Sequence, residues 1–370
     1  MPYDSNNITV SRQLEIKIVE DRAGFDALAG SWQQLDAQTG VRPFQEYGWC
    51  AAWVKTLGAA GGWRLLVGTL WQGDRLVAVL PLCVRRVKGI RVLEWIGARV
   101  TDYCDAVVDS SSDPDELLPL LWDAIARRGG FDVARLNHVR TDAKVFATLS
   151  RLNPWIETFE DAGGVPITWP SGADWLKQQG SGMRDRVKYN ARRMAKAAFQ
   201  SRLWSAPEPL RPLIDTLVAQ KRPWLAARGL TSFINEPGGV EFLQAVVEAT
   251  GARGELHLTT VHSPEGQVAA CDLTFVREGT AYSYLASFDQ QYAKYSFGRI
   301  LTDNLLMWAC DTGFRRLDLL LGAYDYKTEY GCNLEPVRTL VIARGILGRA
   351  AVAFYRRKAE RSRAQEAVST

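Results

Sequence analysis

One order of elements occurs twice in this chain. LLWDAIARRGGFDVARLN (residues 120–137) and LLMWACDTGFRRLDLLLG (305–322) both read as the end of an apolar helix, a glycine stop, a phenylalanine and a buried strand. Ahead of the first copy, RLLVGTLWQGDRLVAVLPLCVRR (64–86) reads as a hairpin turning at QGD, with RVLEWIG and DAVVD as further short strands. Ahead of the second, ELHLTTVHSPEGQVAACDLTFV (255–276) reads as a hairpin around SPEG and TAYSYLASF (280–288) as a strand. A helix crossing between two strands of one sheet makes them parallel neighbours, so the pattern restricts the chain to a mixed sheet with helices on it. Its recurrence, over ~70 residues per half, points to a duplicated α/β unit; a chance match of two βα units is the alternative.

A length of 370 residues suits two domains. The expected division is residues 1–160, residues 161–345 with a helical insert at 171–250, and a C-terminal helix and tail at 346–370. The fold class is α/β (α+β), with a mixed central sheet and flanking helices in each half. In the insert, GMRDRVKYNARRMAKAAFQSR (182–202) is basic and helical. Thirteen tryptophans call for large packing surfaces or an aromatic-lined cleft, packing being the commoner use. A net charge of +4 gives no global field for nucleic acid. Six scattered cysteines read as reduced thiols, and MPYDSNNITV lacks the look of a signal peptide, so a cytoplasmic protein is expected. No apolar run approaches the ~18–20 residues of a membrane span. P-loop, GxGxxG, HExxH and GxSxG motifs are absent, and three dispersed histidines argue against a metal site. His257 and His262 read as ordinary surface or edge residues of a hairpin.

The chemistry concentrates in 280–331. The loop FDQQYAKYSFGRIL brings Ser296, Phe297, Gly298 and Arg299 to a helix N-terminus, where unpaired amides and the helix dipole favour a phosphate. A helix simply capped by Ser296 is the plainer alternative. The strand RRLDLLLG then runs into GAYDYKTEYG. Ligands of α/β sheets gather beyond the carboxyl ends of strands, so Tyr324, Tyr326 and Lys327 are expected at the same edge as Gly298.

These residues carry a resemblance. SFDQQYAKYSFGRILTDNLLMWACDTGFRRLDLLLGAYDYKTEYG resembles the signature of the BioF2-like/CelD acetyltransferases, through Ser296, Gly298, Leu301, Gly313, Asp318, Gly322, Tyr326 and Lys327. Pro43–Phe44, Trp49, Trp53 and the Asp102/Asp105 strand extend the likeness over about 14–331. The resemblance implies tandem GNAT-like domains, as in the Fem-type aminoacyltransferases, and an acyltransferase with acyl-CoA as cosubstrate and no permanent cofactor. It implies Tyr326 as the acid for the leaving thiolate, Asp272 or Asp318 as base, and Asp318 equally as a buried structural acid. Lys327 would polarise the carbonyl or bind phosphate, and a backbone amide near Leu285–Ser287 would hold the oxyanion. The acceptor would be a small molecule, glycan or peptide, in polysaccharide or cell-envelope metabolism. The pyrophosphate loop departs from the usual Arg/Gln-x-x-Gly-x-Gly/Ala: Tyr295-x-x-Gly298-x-Ile300 keeps only the central glycine. An aminoacyl-tRNA donor, with the basic 184–202 segment on the acceptor arm, therefore stands as an alternative. A non-catalytic GNAT shell in a polysaccharide-synthesis complex is another.

Overall fold

The computed structural model describes residues 14–205, 208–322 and 325–368. The first thirteen residues, and Tyr324 of the site, lie outside them. In chain order the strands of the first half are β1 (Leu14–Val19), β2 (Arg64–Leu65), β3 (Val67–Gln72), β4 (Arg75–Leu80), β5 (Leu82–Val87), β6 (Ile90–Trp95), β7 (Val107–Val108) and β8 (Val133–Arg140), with helix α1 (Pro114–Arg128) between β7 and β8. After β9 (Trp155–Pro166) come α2 (Ser181–Lys196), β10 (Gln200–Trp204), α3 (Arg211–Ala226) and α4 (Gly239–Ala252). Then follow β11 (Leu256–His262), β12 (Val268–Arg277), β13 (Thr280–Phe288), α5 (Phe297–Asp311), β14 (Arg316–Leu321), β15 (Asn333–Ala343) and α6 (Gly345–Val368).

The mixed α/β class is as expected, and both copies of the repeated motif form a parallel crossover. β6 and β8 pair in parallel around α1, and β13 and β14 do so around α5. The local chemistry that starts and stops α1 is legible: Asp113 accepts from Asp115 N–H at 2.8 Å, Pro114 is its first residue, and Gly129 closes it at φ 68°. The sheets, however, are not separate. Among the described residues, β1, β3, β4 and β7 form a four-stranded sheet, and the other strands form one of eleven, ordered β10-β11-β12-β13-β14-β9-β15-β8-β6-β5-β2. β9 and β15 are the seam. β15 pairs with β9 along Asn333–Val341 and with β8 along Val337–Ala343, so a strand near residue 340 closes the sheet of the first half. The expected boundary after residue 160 falls inside β9.

The glycines of β9 serve that seam. A Cβ on Gly164 would sit 1.9 Å from the Arg316 guanidinium, and one on Gly163 would sit 3.2 Å from Lys327 Cδ. Both long side chains cross the seam only because β9 has no side chain there. Most of the tryptophans pack: Trp32, Trp53, Trp95 and Trp175 are fully buried. The largest core cluster joins the halves, with Phe44, Trp49 and Tyr103 against Phe242, Phe275 and Tyr282. Glu46 sits beside it, paired with Arg277 and, at 2.8 Å, with Arg253.

Candidate active site

β13 and β14 are paired only at Thr280–Tyr282 and Arg316–Asp318, and then part. On its other edge β13 remains paired with β12 to Phe288. The parting exposes one edge of β13, and all of Ser283–Phe288 lines the resulting cleft, together with Leu319–Leu321 of β14. The cleft has a volume of about 710 Å³, within the range of small-molecule sites. Gly298, Arg299, Asp272, Tyr326 and Lys327 all line it, so the residues singled out from the two ends of the motif do share one opening.

At the start of α5, Ser296 is exposed, with φ 58°, and its side chain makes no capping hydrogen bond. The Phe297 ring is buried among Phe199, Tyr292 and Tyr295, anchoring the first turn. Arg299 N–H turns back to Ser296 O at 3.0 Å. Gly298 faces open space: a Cβ there would meet nothing within 4 Å. The Arg299 guanidinium lies 5.5 Å from the Tyr326 ring and binds Glu329 through two hydrogen bonds of 2.7 and 2.8 Å. Its charge is therefore largely answered within the protein.

Lys327 is 1 % exposed, and its ammonium donates to the carbonyls of Leu319, Leu320 and Leu321 at 2.8, 2.9 and 2.8 Å. These carbonyls belong to the part of β14 beyond its last pairing with β13, and Leu320 there adopts φ 60°. Lys327 thus holds the strand end in its parted position. Burial pulls its ammonium down to about 8.

Asp318 is buried and lies outside the cleft lining. It accepts from Tyr103 Oη at 2.7 Å, Leu320 N–H at 2.9 Å and Arg316 Nε at 3.2 Å. Asp272, on β12, lines the cleft and accepts from Thr274 Oγ1 at 2.8 Å. Burial raises its carboxyl to about 7, against the Thr274 hydrogen bond. Leu285 packs against the inter-half core, and Ser287 Oγ donates to Gln220 at 2.9 Å.

Seven further residues line this cleft, Leu230, Leu301 and Thr302 among them. Lys221 and Trp224 project from α3 and Arg228 follows its end; Lys221 Nζ lies 4.4 Å and Arg228 Cζ 4.2 Å from the Trp224 ring. Lys221 also donates to Ala286 O at 2.8 Å, and burial, with Arg228 nearby, pulls it down to about 8. The spacing of 221, 224 and 228 marks one helix face and was a readable signal. Asp102 enters from the first half, from irregular chain rather than the strand expected there. Its Oδ2 lies 3.5 Å from Leu321 N, and burial raises its carboxyl while Lys327 opposes the rise.

His257 is buried, not a surface residue: its ring lies 3.7 Å from that of Trp308, and burial holds it down at about 4. Among the described residues no cluster of three metal-ligating side chains occurs, and no helix is long and apolar enough to cross a membrane.

Residues 181–328, which span α2 to Thr328, match the family model of the acetyltransferase (GNAT) domain. The fold is GNAT-like. FemX superposes with a TM-score of 0.60 at 13% identity, over 84% of this chain and 96% of that one. The C-terminal domain of a putative lysylphosphatidylglycerol synthetase from Agrobacterium fabrum superposes with a TM-score of 0.57 at 12% identity, over 90% and 95%. L-PGS from Bacillus licheniformis gives 0.55 at 13%, over 88% and 93%. No curated protein matches the sequence.

Proposed function

We propose that the chain is an acyltransferase that moves an acyl group from a thioester, acyl-CoA, to an amine or hydroxyl acceptor, in the manner of the BioF2-like/CelD branch it resembles. The observation that carries this reading is the open parting of β13 and β14, lined by Gly298 of the α5 N-terminus at one end and by Asp272 and Tyr326 beside it. The donor's phosphates lie against the first turn of α5, with Lys221 and Arg228 on the opposite wall. The acceptor gives its proton to Asp272, whose value near neutrality suits a general base. Attack on the thioester carbonyl makes a tetrahedral oxyanion, held by a backbone amide of Leu285–Ser287. Ala286 is the preferred donor. Its carbonyl already receives Lys221, and a strand residue's N–H and C=O share one edge. Collapse expels the thiolate, which takes a proton from Tyr326. Lys327 holds the end of β14 open, and the surrounding charge keeps the site anionophilic.

A second reading keeps the chemistry and changes the donor to an aminoacyl-tRNA. It is favoured by the departure of the Tyr295–Ile300 loop and by the likeness to FemX and to a putative lysylphosphatidylglycerol synthetase. A thermal-shift panel with CoA, acetyl-CoA, long-chain acyl-CoA and aminoacyl-tRNA separates the two; a ligand at ~100-fold its dissociation constant stabilises by about 2.7 kcal/mol. Stabilisation by CoA and its esters supports the first reading. Stabilisation by aminoacyl-tRNA alone, with turnover destroyed by ribonuclease, replaces it with the second. Tyr326→Phe then tests the acid: turnover lost with donor binding intact keeps Tyr326, and normal turnover removes it. A phenotype retained when turnover is lost points instead to a GNAT shell acting as scaffold.

A further inference from the structure

Helix α6 is attached to the sheet by one face only. Gly348 is buried, and a Cβ there would lie 2.0 Å from the Asp132 carbonyl, so the helix lies against the start of β8 with no side chain between. Ala351 and Val352, one turn on, line a cavity of about 290 Å³ together with Val133 and Val341. The outward face is not polar. Ile346 is 90% exposed, Leu347 54% and Phe354 66%. With Ala350, they form a stripe at helical spacing over two turns. The same stripe continues into Arg357, Lys358 and Arg361, all exposed. Residues 345–361 hold five basic side chains (Arg349, Arg356, Arg357, Lys358 and Arg361) against the single acid Glu360, an excess equal to the net +4 of the whole chain.

We infer that the outer face of α6 docks on an anionic lipid bilayer, with Ile346, Leu347 and Phe354 entering the interface and Arg357, Lys358 and Arg361 lying on the charged headgroups. Apolar side chains beside a basic face are what an interfacial helix needs, and bulk solvent gives three large apolar groups nothing. A second copy of the chain fits the face worse. Two-fold pairing would set Arg357, Lys358 and Arg361 of one copy near the same residues of the other. Three apolar side chains on two turns also fall short of the ~800 Å² per partner that stable pairs bury. The docking reading is independent of the donor chemistry above.

Vesicle co-sedimentation of the full chain tests it, using phosphatidylcholine alone and phosphatidylcholine mixed with phosphatidylglycerol. The protein is expected to pellet with the mixed vesicles and to be released by salt. Ile346→Ser/Leu347→Ser/Phe354→Ser should abolish pelleting. Arg357→Gln/Lys358→Gln/Arg361→Gln should weaken it by ~10²-fold, at roughly fivefold per basic residue. Because these side chains are exposed, both variants should keep the wild-type Tm, which separates lost docking from lost folding. The inference is overturned if wild type does not pellet with anionic vesicles at low salt. Equal binding by the variants, or equal binding to phosphatidylcholine alone, also overturns it. So does a dimer in sedimentation velocity that the serine variant dissociates, with no vesicle binding.

Discussion

In the first half, β6 and β8 part after Leu93 and Ala134, and the chain's own residues take the gap. Asn137 Nδ2 donates to Ala98 O at 2.7 Å, Cys104 N–H to His138 O at 2.9 Å, and Trp95 and Cys104 are buried in the adjoining core. In the second half, β13 and β14 part after Tyr282 and Asp318, and the gap is a cleft. The helix ends differ in the same sense. The first turn of α1 carries Asp115 and Glu116, which repel an anion; the first turn of α5 carries no acid. One crossover is thus filled and one is left for a ligand. The filling segment also serves the other half: Val100 O accepts from Tyr284 Oη at 2.8 Å, Tyr103 Oη binds Asp318, and Asp102 reaches the cleft. The first half thus gives Asp102 to the second half's cleft and braces it through Val100 and Tyr103.

The sharpest way to break this contrast is Asp272→Asn. If the open half is the reactive one, turnover falls by roughly 10²–10⁴-fold. In wild type the carboxylate is the active form, so kcat/KM should rise tenfold per pH unit up to about 7 and level off above; the Asn variant should lose that limb. The same group has a stability signature. Its folded value is raised above 3.8, so its contribution to stability is full below about 4 and is lost as pH rises through about 7. Chemical denaturation from pH 4 to 8 should show this loss in wild type and less of it in Asp272→Asn.

Trp95→Ala tests the filled half. Removing a fully buried tryptophan costs ~3–5 kcal/mol by denaturant unfolding. Donor affinity of the remaining folded protein should not change, since the lost volume lies in the core beside the filled gap and not in the cleft. Gly298→Val probes the open side: the added side chain meets empty space, so Tm should stay near wild type while donor affinity, by titration calorimetry, falls at least ~10-fold. The smallest effect is expected of Arg299→Gln. Its charge is already paired with Glu329, so donor affinity should change by less than roughly fivefold, an exposed ion pair being worth ~1 kcal/mol or less.

The repeated motif, both hairpins and the caps of α1 were legible because each rests on local chemistry. The seam was not. EDAGGVP reads as a polar, glycine-rich connection, yet Gly163 and Gly164 lie in β9 because Lys327 and Arg316 pass over them. Pro336 argues against an interior strand, yet β15 is paired on both sides; its carbonyl accepts from Thr141 N–H at 3.1 Å. Neither contact exists until residues far apart in the chain have met. In the site, the edge shared by Gly298, Tyr326 and Lys327 followed from topology. The direction of Lys327 did not: an ammonium aimed at three carbonyls is set by where β14 ends. Asp102 was marked by the resemblance, but nothing in the sequence placed it in the cleft, because it is delivered from irregular chain in the other half.

The position of β15 also sets a schedule. During synthesis β8 emerges some two hundred residues before the strand that covers its edge, with β9 also awaiting that partner. Until Asn333–Ala343 has left the ribosome, the edge of β8 lacks its native partner. Cutting the chain between the two halves would therefore separate β8 and β9 from the strand that joins them. A fragment ending before residue 333 would lack the strand that lies between β8 and β9 and completes the sheet of the first half.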